Sequence, residues 1–122
     1  MGTLNILDWF VKRGNGKLIF ASSSEAYAGT LKIMGDDFPI PTPEDIPLTI
    51  NNPANTRWSY GGSKILGELA FHAYSNAHGL SDWSIVRFHN IYGPRMGYEH
   101  VIPQMIERVI NKSSFVCQLK ST

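Results

Sequence analysis

The chain is poor in cysteine, charge and long apolar runs, and each shortage excludes something. A single cysteine, Cys117, cannot form an internal disulfide and fits the reducing conditions of a cytoplasmic protein. Charged residues make up only 17% of the 122, and the formal net charge is +1. No Lys/Arg run exceeds the pair Lys12-Arg13, so neither nucleic acid nor an anionic membrane surface is an expected partner. No window approaches the roughly 20 apolar residues of a membrane span. The opening MGTLNILDWF lacks a basic segment and meets Asp8 early, which is unlike a secretory signal. His72 and His78 do not share a helix face, so no metal site is expected. With 43% apolar residues the composition is that of an ordinary folded protein, and residues 1–122 are expected to form a single domain.

What is present reads as alternating helices and strands. Leu4, Leu7, Phe10 and Val11 recur at helical spacing over residues 3–13, and Gly14 and Gly16 stop the helix. KLIFAS is a short apolar run of the kind buried on both faces of a sheet. From Thr30 to Pro53 the chain holds five of its seven prolines, which predicts a long irregular loop. A helix is expected from about Thr56 to His78, with Ile65, Leu66, Leu69, Ala70, Ala73 and Tyr74 on one side and Gly79 as its stop. WSIVRF reads as a second buried strand, Gly93-Pro94 as a turn and VIPQMIERVI as a last helix. That order predicts an α/β chain with a parallel sheet.

Two segments carry chemistry. ASSSEAY, residues 21–27, places three serines and a glutamate directly after the first strand. A serine cluster there is most simply a turn, since the hydroxyls bond their own backbone. Tyr60 and Lys64, in YGGSK, leave one helix face a turn apart. A tyrosine normally titrates near ~10, and an ammonium beside it favours the phenolate, so such a pair can serve as a general acid/base. The same spacing also occurs as a half-buried ring beside a solvated amine. In a parallel sheet reactive groups gather at the carboxyl ends of strands, where both segments fall. A hydroxyl holding a substrate oxygen while a phenolate takes its proton suits oxidation of an alcohol by a nicotinamide. Glu68, one turn beyond Lys64, reads as its ion-pair partner on the helix surface.

LIFASSSEAY, SYGGSK and VRFHNIYGPR, in this order and at these separations, resemble the extended short-chain dehydrogenase/reductase family, the NAD-dependent nucleotide-sugar epimerases and dehydratases. The likeness runs from about Gly2 to Ile110. It implies a Rossmann-type doubly wound parallel sheet, NAD as cofactor, a nucleotide sugar as substrate and a homodimer built through the helix of Tyr60 and Lys64. By position, Ser23 falls on the family's catalytic Ser or Thr, Tyr60 on its base, and Lys64 on the partner that also holds the cofactor ribose. Ser22 and His89 are further candidates for cofactor contact, and Ser23, Ser24 and Asn90 for the substrate; Arg95, just after the YGP turn, could reach a phosphate, but an exposed arginine needs no such role. Asn90 matches the residue that meets the sugar diphosphate, with Arg87 and His89 beside it. Glu25 stands where dehydratases and nucleotide-sugar decarboxylases carry an acid and 4-epimerases an uncharged residue, which tilts the reading toward the former. A solvated loop carboxylate is the plainer alternative for Glu25.

Two features of the family are missing. The Gly-rich phosphate loop after a first strand is absent, since Gly14-Asn15-Gly16 precedes a strand and lacks a third glycine. NKSSFVCQLKST does not resemble the start of the family's C-terminal substrate lobe. The expectation is a partial Rossmann-type sheet without the N-terminal Gly-rich half or that lobe, an internal piece of a longer enzyme with an incomplete NAD site and little activity by itself. The competing expectation is a non-catalytic remnant that folds by pairing with another copy or a missing half.

Overall fold

The computed structural model describes residues 2–111, so Cys117 and the terminal KSSFVCQLKST beyond Asn111 lie outside the described residues. The chain divides into two units, one up to His89 and one from Asn90.

In the first unit α1 (Gly2–Arg13) buries Leu7 and Phe10. It ends at Gly14, whose φ of 74° is open to glycine without penalty. Strand β1 (Leu18–Ser23) follows and passes into a tight turn, Ser24–Tyr27, and a short helix α2 (Ala28–Met34). The expected long loop therefore begins later than the sequence suggested. The prolines that mark it all lie beyond Phe38, while Leu31, Ile33 and Met34 are free to continue a helix. Gly29 and Thr30 anchor that helix. Thr30 bonds the Pro47 carbonyl, and Gly29 lies so close to Thr49 that no side chain would fit.

Helix α3 (Ser59–His78) carries the Tyr60–Lys64 segment and ends at left-handed Gly79. Strand β2 (Trp83–Phe88) then pairs parallel to β1, in register from Leu18 opposite Trp83 to Ser23 opposite Phe88. The result is a two-stranded parallel sheet with helices, a partial Rossmann-like α/β arrangement.

Two packing expectations change. The strands are not buried on both faces: Phe20 and Ser22 turn toward α3, whereas Ile19 is 58% exposed, and Val86 and Phe88 are also open. The buried stripe of α3 is Gly61, Gly67, Glu68 and Phe71, not the leucines, and Leu66 and Leu69 face outward. Gly67 explains the difference, because its lack of a side chain lets the helix close onto the Phe20 ring. Phe20 stacks in turn on Phe71, with ring centroids 4.9 Å apart. Trp83 lies against Phe71 and His72 and donates its indole N–H to Ser75 Oγ at 2.9 Å.

The second unit begins with a turn closed from Met96 N–H to the Gly93 carbonyl at 3.2 Å. Arg95 within it has a φ of 67°, the left-handed region that side chains other than glycine enter at a cost of about 1 kcal/mol or more. Helix α4 (Val101–Ile110) follows, and its Ile102, Ile106 and Ile110 line an open apolar cleft of about 720 Å³ with Tyr92 and Tyr98. No helix among the described residues is long and apolar enough to cross a membrane.

Candidate active site

The end of β1 and the start of α3 meet at a glycine. A Cβ on Gly61 would lie 2.8 Å from the Glu25 carbonyl, so the turn after β1 rests directly on the helix backbone beside Tyr60. Lys64, one turn on, donates from Nζ to the Ala21 carbonyl at 2.8 Å. Its ammonium is 5.5 Å from the centroid of the Tyr60 ring and 5.4 Å from that of Phe20. The phenol of Tyr60 is half exposed, so a ligand can reach it.

Ser23 is both turn residue and candidate site residue. Its extended backbone places Oγ to accept the Glu25 N–H at 3.2 Å, capping the turn as the plain reading of the serines expects. A hydroxyl that accepts one bond still has its own proton to donate. Ser24 opens the turn itself. Glu25 is held by Arg57, whose guanidinium lies 2.9 Å from its carboxylate, with both side chains partly open to solvent. Arg57 sits in the tight turn before α3, which Asn55 caps by accepting the Arg57 N–H at 2.9 Å. Sequence reasoning missed Arg57 because its partner is distant in the chain.

Ser22 turns the other way. It is 4% exposed, and its hydroxyl donates to Glu68 Oε1 at 2.5 Å. Any approach to a cofactor from this residue falls to its backbone. Glu68 is likewise buried and is not the surface partner of Lys64. Arg87 takes it instead, with Nε 2.9 Å from Oε1 and Nη2 2.7 Å from Oε2. Burial pushes the Glu68 carboxyl up, but the hydrogen bonds from Arg87 and Ser22 outweigh it and hold it below the ordinary carboxylate value. The bond to Glu68 pushes Arg87 up despite burial, so the pair is ionised at neutral pH.

His89 is exposed and directly follows β2. Asn90 and Arg95 are exposed in the second unit, Arg95 on its strained turn.

Comparison with known proteins gives this arrangement a context. The chain is 39% identical over 112 residues to the UDP-N-acetyl-alpha-D-glucosaminuronate decarboxylase of Bacillus cytotoxicus, covering 89% of this chain and 32% of that protein. It is 34% identical over 93 residues to the UDP-glucuronate 4-epimerase of Thermodesulfobacterium geofontis, covering 76% and 24%. It is 34% identical over 105 residues to the dTDP-glucose 4,6-dehydratase of Streptomyces griseus, covering 86% and 28%. The chain thus spans between about a quarter and a third of the length of these curated relatives. No solved structure gives a significant match. The model of the NAD dependent epimerase/dehydratase family matches residues 1–120, and the chain belongs to that family.

Proposed function

We propose that this chain is the catalytic segment of an NAD-dependent enzyme that oxidises a hydroxyl of a nucleotide sugar to a transient ketone. The observation that carries this reading is the Lys64 ammonium, fixed to the Ala21 carbonyl at the end of β1 and 5.5 Å from the Tyr60 ring. Tyr60 takes the hydroxyl proton as general base. Ser23, with its proton free, donates to the same oxygen and holds it in place. Lys64 uses one N–H on Ala21, which leaves two to bond ribose hydroxyls, so the donor set fits a dinucleotide. Tyr60, Lys64 and His89 would hold the nicotinamide half, which supplies a hydride acceptor when bound.

Glu25 is the second proton-transfer group in this proposal, acting on the carbon beside the ketone, and it favours dehydration or decarboxylation over 4-epimerisation. A decarboxylase and a dehydratase among the relatives stand beside two 4-epimerases, so the choice rests on Glu25 alone. Asn90 and Arg95 take the sugar diphosphate. A homodimer through α3 is supported by Leu66 and Leu69, 65% and 63% exposed on that helix. The single cysteine supports a cytoplasmic setting.

A second reading, a non-catalytic piece that folds by pairing, is favoured by the open face of Ile19, Val86 and Phe88. A chimaera separates the two: residues 2–111 replace the matching segment of the Bacillus decarboxylase, and turnover is measured against UDP-, GDP- and dTDP-sugars. Turnover that Tyr60→Phe reduces by about 10² or more, with NAD still bound, is the expected result. A chimaera whose turnover survives Tyr60→Phe to within about tenfold would exclude Tyr60 as the base.

A further inference from the structure

Ser22 and Ser23 are neighbours with opposite fates: one hydroxyl is buried against a carboxylate, the other caps a turn at the site. Alternation along the strand requires this. Ser22 is in register with Arg87 on β2, and Glu68 reaches both from α3, so three elements meet at one ion pair. Arg87 has donors to spare. Its Nη1 bonds Tyr27 Oη at 2.7 Å and the Glu44 carbonyl at 2.8 Å. Tyr27 is the last residue of the turn that begins at Ser24, and its ring also lies under the guanidinium at 4.9 Å.

We infer that Arg87 is a positioning residue: through Glu68, Ser22, Tyr27 and Glu44 it fixes the Ser23–Tyr27 turn and the 42–46 segment against the helix of Tyr60 and Lys64. The turn is held at both ends, by Ser22 on Glu68 and by Tyr27 on Arg87, and rests in the middle on Gly61. With Ser22 made apolar as well, an apolar pair would fill the same space at little net loss of stability, because taking two charges out of water is costly. What apolar side chains lack is direction. Five N–H groups in a rigid plane set the angle between strand, helix, turn and loop, which packing alone leaves loose. The significance of the turn rests on the proposed roles of Ser23 and Glu25, but the clamp itself does not.

The test is amide hydrogen exchange in the 122-residue chain, read at Glu25, Ala28 and Ile46. These N–H groups bond Ser23 Oγ, the Glu25 carbonyl and the Pro43 carbonyl. In Tyr27→Phe the amides of Glu25 and Ala28 are expected to exchange about tenfold faster, the scale of one lost charge-assisted bond, while those of α1 keep their rates. In the double variant Glu68→Leu with Arg87→Met, made and compared on a Ser22→Ala background so that no buried hydroxyl is left unpaired, the Tm is expected to lie close to that of Ser22→Ala while all three amides stay fast. Parent-like exchange in Tyr27→Phe would overturn the inference. So would a double variant in which exchange recovers together with Tm, since the polar chain would then be packing only. If the double variant does not fold, Tyr27→Phe decides alone. Neither measurement uses NAD or a sugar, so a failed clamp and a failed functional reading give separate results.

Discussion

Gly67 is where a single methyl group should do most damage. It lies inside α3, and alanine is intrinsically better than glycine there by about 1 kcal/mol. On a free helix surface Gly67→Ala would therefore stabilise. Here a Cβ would lie 2.9 and 3.1 Å from two carbons of the Phe20 ring and closer still to a third. The ring has little room to turn aside, with Phe71 at 4.9 Å and the Lys64 ammonium at 5.4 Å from its centroid. Overpacking costs ~1–3 kcal/mol, and an overlap this deep belongs in the upper half of that range; subtracting the propensity gain leaves a net loss of ~1–2 kcal/mol. For a chain of this size that lowers Tm by roughly 5–15 °C.

Gly62 on the same helix is the control. An added Cβ there meets only Ile50 Cδ1 at 3.0 Å, the free end of a flexible side chain. Gly62→Ala should be neutral or stabilise by up to ~1 kcal/mol. Thermal unfolding followed by circular dichroism separates the two variants, and Phe20→Leu added to Gly67→Ala should recover part of the loss. A stabilised Gly67→Ala, or a Gly62→Ala that falls as far, would refute the close-approach argument. Because Phe20 also lies under Lys64, the same variant should disturb the ammonium that the proposed site depends on.

The Glu68 carboxyl is held below its ordinary value of 4.5, so its contribution to stability is complete above that pH and is lost as pH falls through the lower folded value. Urea midpoints should drop as pH falls below about 4.5, and Glu68→Gln should be less stable at pH 7 with a flatter acid limb; an unchanged limb would remove Glu68 as its source. Lys64→Met should weaken NAD binding by about tenfold or more in a calorimetric titration of the chimaera, as expected for charged hydrogen bonds to ribose, and unaltered affinity would return Lys64 to an ordinary surface residue. The chain should self-associate with rising concentration in sedimentation experiments, and Leu66→Lys with Leu69→Lys should reduce this; a monomer of 13.6 kDa at every concentration would contradict the proposed α3 interface.

The helices, strands and their glycine stops were legible because each rests on local rules: apolar spacing for α1, left-handed ends at Gly14 and Gly79, short apolar runs for β1 and β2. The Tyr60–Lys64 pair was legible for the same reason, since four residues of helix fix the relation of the two side chains. What failed depended on distant neighbours. Residues 30–34 read as loop from the sequence because the prolines downstream colour the whole segment, although none lies within those five residues. Leu66 and Leu69 read as the packed side because hydrophobicity signals burial, and here that side is made of Gly61, Gly67, Phe71 and a paired acid.

Glu68 shows the limit most clearly. Its own helix offers Lys64 at the right spacing, and nothing local argues against that pair. The choice is made elsewhere. Lys64 is taken by the Ala21 carbonyl, and the register that sets Ser22 opposite Arg87 puts a hydroxyl and a guanidinium within reach of Glu68. Alternation along β1 sends Ser23 to the other face. The face that β1 turns to α3 thus decides which serine is buried, and its pairing with β2 decides which cation Glu68 meets. A shift of β2 by one residue would turn Arg87 to the opposite face and strip Glu68 of its guanidinium, while Ser22 and Ser23 on β1 kept their places.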